Sequence, residues 1–166
     1  MNSLDTLELL AEISIGLIGF AGVVTALGRS KLTIEIRAFR TRALLMNSAL
    51  ALFGSLLPVI LFGTALSEST VWISSSITLA IAMTAALVWA AFSLRHLLDQ
   101  AGLPAFVTIS IITLTFFVLI HLLYSALFAS HSLAHIYPVA VFWSLALGTF
   151  HFCMLVISIE LPGETP

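Results

Sequence analysis

The sequence predicts an all-α integral membrane bundle of five transmembrane helices, with its N-terminus outside and its C-terminus in the cytoplasm. Three observations carry that reading. Only 8 % of the residues are charged and 60 % are hydrophobic, whereas roughly a quarter of a soluble domain is charged. The 14 charges are placed so that long uncharged runs remain between them. All six Lys and Arg fall in two short stretches that lie on one side of an up-down bundle. With a mean hydropathy of +1.16, an ordinary soluble enzyme and a disordered tail are excluded, as is a nucleic-acid partner, which would require a basic surface.

The charges mark the elements. None lies between Glu12 and Arg29, between Arg42 and Glu68, between Glu68 and Arg95, or between Asp99 and Glu160. A bilayer crossing takes about 20 apolar residues, so the first three runs hold one span each and the last holds two. The spans are expected at about 7–28, 43–66, 70–94, 104–128 and 137–159, and 1–166 forms a single transmembrane domain. A basic cytoplasmic loop covers 29–42, and a polar knot, ASHSLAHIYP, separates the last two helices. Pro104 and Pro138 suit the first turns of helices four and five, and Pro162 and Gly163 suit the end of the fifth. Helices are required because backbone groups in lipid must pair internally, and runs such as FFVLIHLLY lack the alternation of a β-barrel.

Orientation follows from Arg29, Lys31, Arg37, Arg40, Arg42 and Arg95, which the positive-inside rule places in the cytoplasm. The opposite side has no Lys or Arg and holds Asp5, Glu8, Glu68, His131 and His135. Residues 1–12 carry three acids and no base, unlike a signal peptide, so the first helix is expected to remain as an N-out anchor. Cys153 is the lone cysteine, which leaves no intramolecular disulfide.

Small and polar side chains indicate which helix faces meet inside a membrane. Gly16, Gly19, Val23 and Ala26 form one stripe of helix one, and Glu12 on the same stripe is expected to point into protein. Helix two gathers Asn47, Ala51, Gly54 and Pro58 with Ser55 beside them. Helix three offers Ser75, Thr78, Ala82 and Ala85. Ser110, Phe117, His121 and Tyr124 align on helix four, and Tyr137, Ser144, Gly148, His151 and Ser158 on helix five. The stretch GFAGVVTALGR, followed by a basic loop and a helix with Asn47, Gly54 and Pro58, resembles small multi-span proteins of bacterial inner membranes. That resemblance covers roughly the first 60 residues and implies location without implying an activity.

Depth suggests where chemistry could sit. At about 1.5 Å per residue, Glu12 lies roughly 8 Å below the outer boundary and His121 roughly 10 Å. Thr78 and Ser144 fall near the same level, while Asn47 and His151 form an inner layer. An acid within a span is costly and is usually functional or paired. The first expectation is therefore a homo-oligomeric protein passing protons or small ions by way of Glu12, His121, Asn47, His151, Ser144 and Thr78. The alternative is a non-catalytic accessory or structural subunit that binds lipid or a partner membrane protein. In either case Arg29, Lys31, Arg37, Arg40 and Arg42 are candidates for anionic lipid at the cytoplasmic face. A second alternative is metal binding through His121, His131 and His135, the last two spaced i, i+4. No P-loop, GxSxG, CxxC or HExxH motif is present, and no cofactor is implied.

Overall fold

Five helices form in order: α1 (Ser3–Leu27), α2 (Ile34–Phe62), α3 (Glu68–Arg95), α4 (Ala105–Phe128) and α5 (Leu133–Ile157). Each is long and apolar enough to cross a membrane, as expected of an integral membrane protein. The computed structural model describes residues 3–27, 32–95, 105–128 and 133–158.

Four helices begin earlier than the sequence predicts, α1, α2, α3 and α5, and for α2 and α5 a local reason is visible. α2 starts at Ile34 inside the expected loop 29–42, because the Thr33 side chain accepts the Ile36 amide at 3.4 Å and caps the first turn. Arg40 then continues the helix as a buried residue, 5 % exposed. Its Nη1 donates to the Met154 carbonyl at 3.2 Å, in the last turn of α5. Terminal helix carbonyls lack intrahelical donors, and a cation beside them also complements the helix dipole. α5 starts at Leu133 because that residue is fully buried in the core. Pro138 consequently lies inside α5, not in its first turn.

The contacts define a cross-section. α5 touches all four other helices, and α2 touches α1, α3 and α5. Among the described residues α1 meets neither α3 nor α4, and α2 does not meet α4. The helices therefore stand in two rows, α1–α5–α4 and α2–α3. We call the end where α2 begins, with Arg37, Arg40 and Arg42, the basic end, and the opposite one the far end.

Packing differs between the two ends. In the far half, Leu7 and Leu10 of α1, Trp72 and Leu79 of α3, Leu122 of α4, and Tyr137 and Val141 of α5 share one buried cluster. Glycines bring the central helices close. A Cβ on Gly54 would lie 3.2 Å from Leu79 Cδ1 and 3.3 Å from Val141 Cγ2. One on Gly148 would lie 2.9 Å from Ser48 Oγ and 3.3 Å from Leu17 Cδ2. Small residues at such crossings let backbones approach where lipid supplies no hydrophobic drive between helices. In the basic half, Ala21, Leu44 and Leu155 hold α1, α2 and α5 together.

One polar bond in the far half repairs the backbone. Proline lacks an N–H, so Pro58 leaves the carbonyl four residues earlier, that of Gly54, without its helical donor. Tyr137 Oη, from α5, donates to the Gly54 oxygen at 2.6 Å. Tyr137 itself is fully buried, with its ring 5.8 Å from that of Trp72. Tyr137, Pro58 and Gly54 thus act as a single unit across the α2–α5 contact.

The predicted buried faces hold on α2 and α5 and are rotated elsewhere. Ala51, Gly54, Ser55 and Pro58 are buried, as are Tyr137, Ser144 and Gly148. On α1 the stripe Glu12, Gly16, Gly19, Val23 and Ala26 is exposed, and a Cβ on Gly16 or Gly19 would meet nothing within 4 Å. Glu12 therefore does not point into its own bundle. On α4 Ser110, Phe117, His121 and Tyr124 are exposed, and the buried side carries Thr115, Leu119, Leu122 and Ser125. On α3 Thr78 and Ala85 are exposed, and Ser75, Ser76 and Leu79 are buried.

Candidate functional site

Because α2 and α4 never meet, the space between them is filled only where α3 and α5 reach across it. In the far half Trp72, Leu79, Tyr137 and Val141 do so. In the basic half they do not, and a partly open cavity remains among α2, α3, α4 and α5. About 110 Å³ of it is open to the centre of a water-sized sphere; on that measure one water needs roughly 10–15 Å³.

Most of the wall is apolar. Met46 and Leu50 come from α2, Met83 and Leu87 from α3, Ile111 and Ile112 from α4, and Leu147 and Phe150 from α5. Methionine is flexible and polarizable, which suits a wall that fits guests of varied shape. Alanines 86, 90 and 91 leave the α3 side shallow.

Five side chains add polarity: Asn47, Thr108, Thr115, Ser144 and His151. Three are tied to their own helix. Asn47 Nδ2 donates to the Ala43 carbonyl at 2.8 Å, Thr115 Oγ1 to Ile111 at 2.8 Å, and Ser144 Oγ to Ala140 at 3.3 Å. Trp143 Nε1 donates in turn to Thr115 Oγ1 at 3.0 Å, which links α5 to α4 at the cavity edge. The donations of Asn47 and Ser144 leave acceptors to offer a guest, the Asn47 amide oxygen and the Ser144 hydroxyl lone pairs.

His151 is held by rings. It packs edge-on against Phe39, centroids 6.0 Å apart, and against Phe150 at 5.5 Å. Phe39 also stacks on Trp89 of α3 at 5.6 Å. The Trp89–Phe39–His151 column therefore links α3, α2 and α5 at the basic end of the cavity, and Arg40 meets α5 at Met154, one turn beyond His151.

No known protein family, curated protein or solved structure matches the chain.

The structure brings together three residues of the predicted pathway, Asn47, Ser144 and His151, around one cavity. It does not bring in the other three. Glu12, Thr78 and His121 are exposed on α1, α3 and α4. α1 and α4 are not in contact, so Glu12 and His121 share a level without meeting inside one chain. Thr78 Oγ1 donates to Ser74 of its own helix at 2.8 Å, and the His121 ring lies parallel to that of Phe117 at 6.2 Å.

The basic and metal candidates divide similarly. Arg42 is exposed, Arg37 is partly so, and Arg40 is buried against α5. Arg29, Lys31 and His131 lie outside the described residues. His135 sits on α5 and is exposed, and among the described residues no group of three His, Cys, Asp or Glu is placed to hold a metal.

Sequence reasoning missed Thr108, Thr115, Phe39 and the paired methionines. The threonines carried a signal: Thr108, Ile111, Ile112 and Thr115 recur at i, i+3, i+4 and i+7, the spacing of one helical face. It was outweighed by the longer polar and aromatic stripe through His121.

Proposed function

We propose that this chain is a membrane-embedded binding protein, and that its cavity takes an amphipathic guest with a slender apolar body. The observation that carries this reading is the unfilled space between α2 and α4, apolar along its walls with a few convergent polar groups, which is the usual character of a small-molecule site. The guest's apolar part lies along Met46, Met83 and Leu87. Its hydrogen-bonding end meets the Asn47 oxygen, Ser144 and His151. By the positive-inside rule the basic end faces the cytoplasm, so the site belongs to the inner leaflet of a bacterial inner membrane, and single-chain lipids are the class that fits.

Binding is favoured over conduction by two features. The far half is closed by Trp72, Tyr137 and Leu79, and Glu12 and His121 stand outside the cavity. The role read here is therefore that of an accessory protein that holds or presents a lipid.

The test uses a brominated fatty acid, which quenches nearby tryptophan fluorescence, with the full chain in vesicles. Trp89 stacks on Phe39 and Trp143 bonds to Thr115, both of which line the site. Quenching of the wild type is expected to contain a saturable component above the linear one from bulk lipid. Ala90→Phe, which fills the shallow side, should weaken that component at least tenfold, equivalent to about 1.4 kcal/mol. Linear quenching alone, or saturable quenching indifferent to Ala90→Phe, would remove the proposal.

A further inference from the structure

We propose that copies of this chain assemble head to tail in the membrane, the exposed face of α1 in one copy seating against the exposed face of α4 in the next, with Glu12 bonded to His121 across the contact. The proposal is independent of what the cavity binds.

Charge is the first argument. Glu12 is exposed on α1 and His121 on α4, and among the described residues neither bonds to another helix of its own chain, the His121 ring lying against Phe117 of α4. An acid left facing hydrocarbon costs a few kcal/mol or more, and a carboxyl–imidazole bond removes that cost by giving each group a partner of complementary chemistry. An α1-to-α1 contact would instead set Glu12 against Glu12.

Level and shape agree with the pairing. Counting from the far end at about 1.5 Å per residue, Glu12 lies roughly 13 Å in and His121 roughly 10 Å. One turn deeper, Gly16 comes at roughly 19 Å and Phe117 at roughly 16 Å. The α1 face carries no side chain at Gly16 and Gly19, and a Cβ on either would meet nothing within 4 Å, so the space there is open to a neighbour. The α4 face is a ridge of rings, with Phe117 64 % exposed and Tyr124 57 %. A glycine groove accepting an aromatic ridge is a close-packing solution open to membrane helices.

Topology makes the contact repeat. α1 and α4 stand at opposite ends of the row α1–α5–α4, so each copy offers one face of each kind. Such a heterologous contact closes into a ring when the rotation axis is the membrane normal.

Cysteine pairs test the contact in native membranes, with Cys153→Ser removing the natural thiol. Glu8→Cys and Tyr124→Cys flank the Glu12–His121 pair by one turn toward the far end. A short bismaleimide should convert the double variant into a ladder of dimers and larger species, and leave either single variant monomeric. Efficient cross-linking of Glu8→Cys alone would show an α1-to-α1 contact and overturn the proposal. So would a double variant that stays monomeric. In the uncross-linked protein in mild detergent, native mass spectrometry should show multimers that Glu12→His and His121→Glu each reduce at least tenfold. The combined Glu12→His/His121→Glu chain should recover them; failure to recover also overturns the pairing.

Discussion

Tyr137→Phe is expected to destabilise the fold by about 1–3 kcal/mol, the cost of leaving one buried polar group without its partner. The size of that loss should depend on residue 58. With proline there, the phenolic hydroxyl is the donor recorded at the Gly54 carbonyl, and its removal leaves that oxygen unsatisfied inside α2. With Pro58→Ala, residue 58 regains an N–H that can serve the same oxygen, and Tyr137→Phe becomes nearly neutral. A double-mutant cycle, measured by equilibrium unfolding in detergent, isolates this coupling from the general cost of altering either helix. Equal losses in the proline and alanine backgrounds would show that the hydroxyl is not compensating for the proline.

Gly148→Val should be at least as damaging. The first added atom already falls 2.9 Å from Ser48 Oγ and 3.3 Å from Leu17 Cδ2, and the two further methyls have only α2 and α1 to enter. Overpacking a close contact costs about 1–3 kcal/mol. Here it also pries apart the two helices on which the rest of the bundle is built, so the upper end of that range is expected. Gly19→Val provides the comparison. Nothing lies within 4 Å of a Cβ at that position, and its effect on the unfolding of the monomer should stay within about 0.5 kcal/mol. If the head-to-tail contact exists, Gly19→Val instead reduces the multimer fraction. The two glycines would then separate along two different readouts, one reporting the fold and the other the assembly. Similar losses of monomer stability at both positions would contradict the close approach at Gly148.

Charge placement made the number of spans legible because hydrocarbon excludes charge so strongly that its gaps mark helices. The same logic failed at the start of α2. Arg40 reads as a loop residue by charge, yet its guanidinium finds the Met154 carbonyl in the last turn of α5 and is carried into the fold. The inward faces of α2 and α5 were readable from Asn47, Gly54, Pro58, Ser144 and Gly148, since α2 packs against three helices and α5 against four, and their small residues serve contact. On α1 and α4 that rule points the other way. These helices sit at the ends of a row, each with a broad exposed side, and the small or polar stripe lies on that side. Sequence order in an up-down bundle gives the direction of each helix but not its neighbours. Asn47 and His151 could therefore be placed on one layer, while the cavity that unites them depends on α2 and α4 failing to meet.

That failure to meet also has a volumetric consequence. Hydrostatic pressure favours whichever state occupies less volume, and unfilled internal space is the main reserve a folded protein can surrender. The ligand-free chain should therefore be pressure-sensitive in its basic half first, where Phe39 borders the void and Trp89 stacks on it, while the close-packed surroundings of Trp72 respond later. A guest that fills the space would remove the difference.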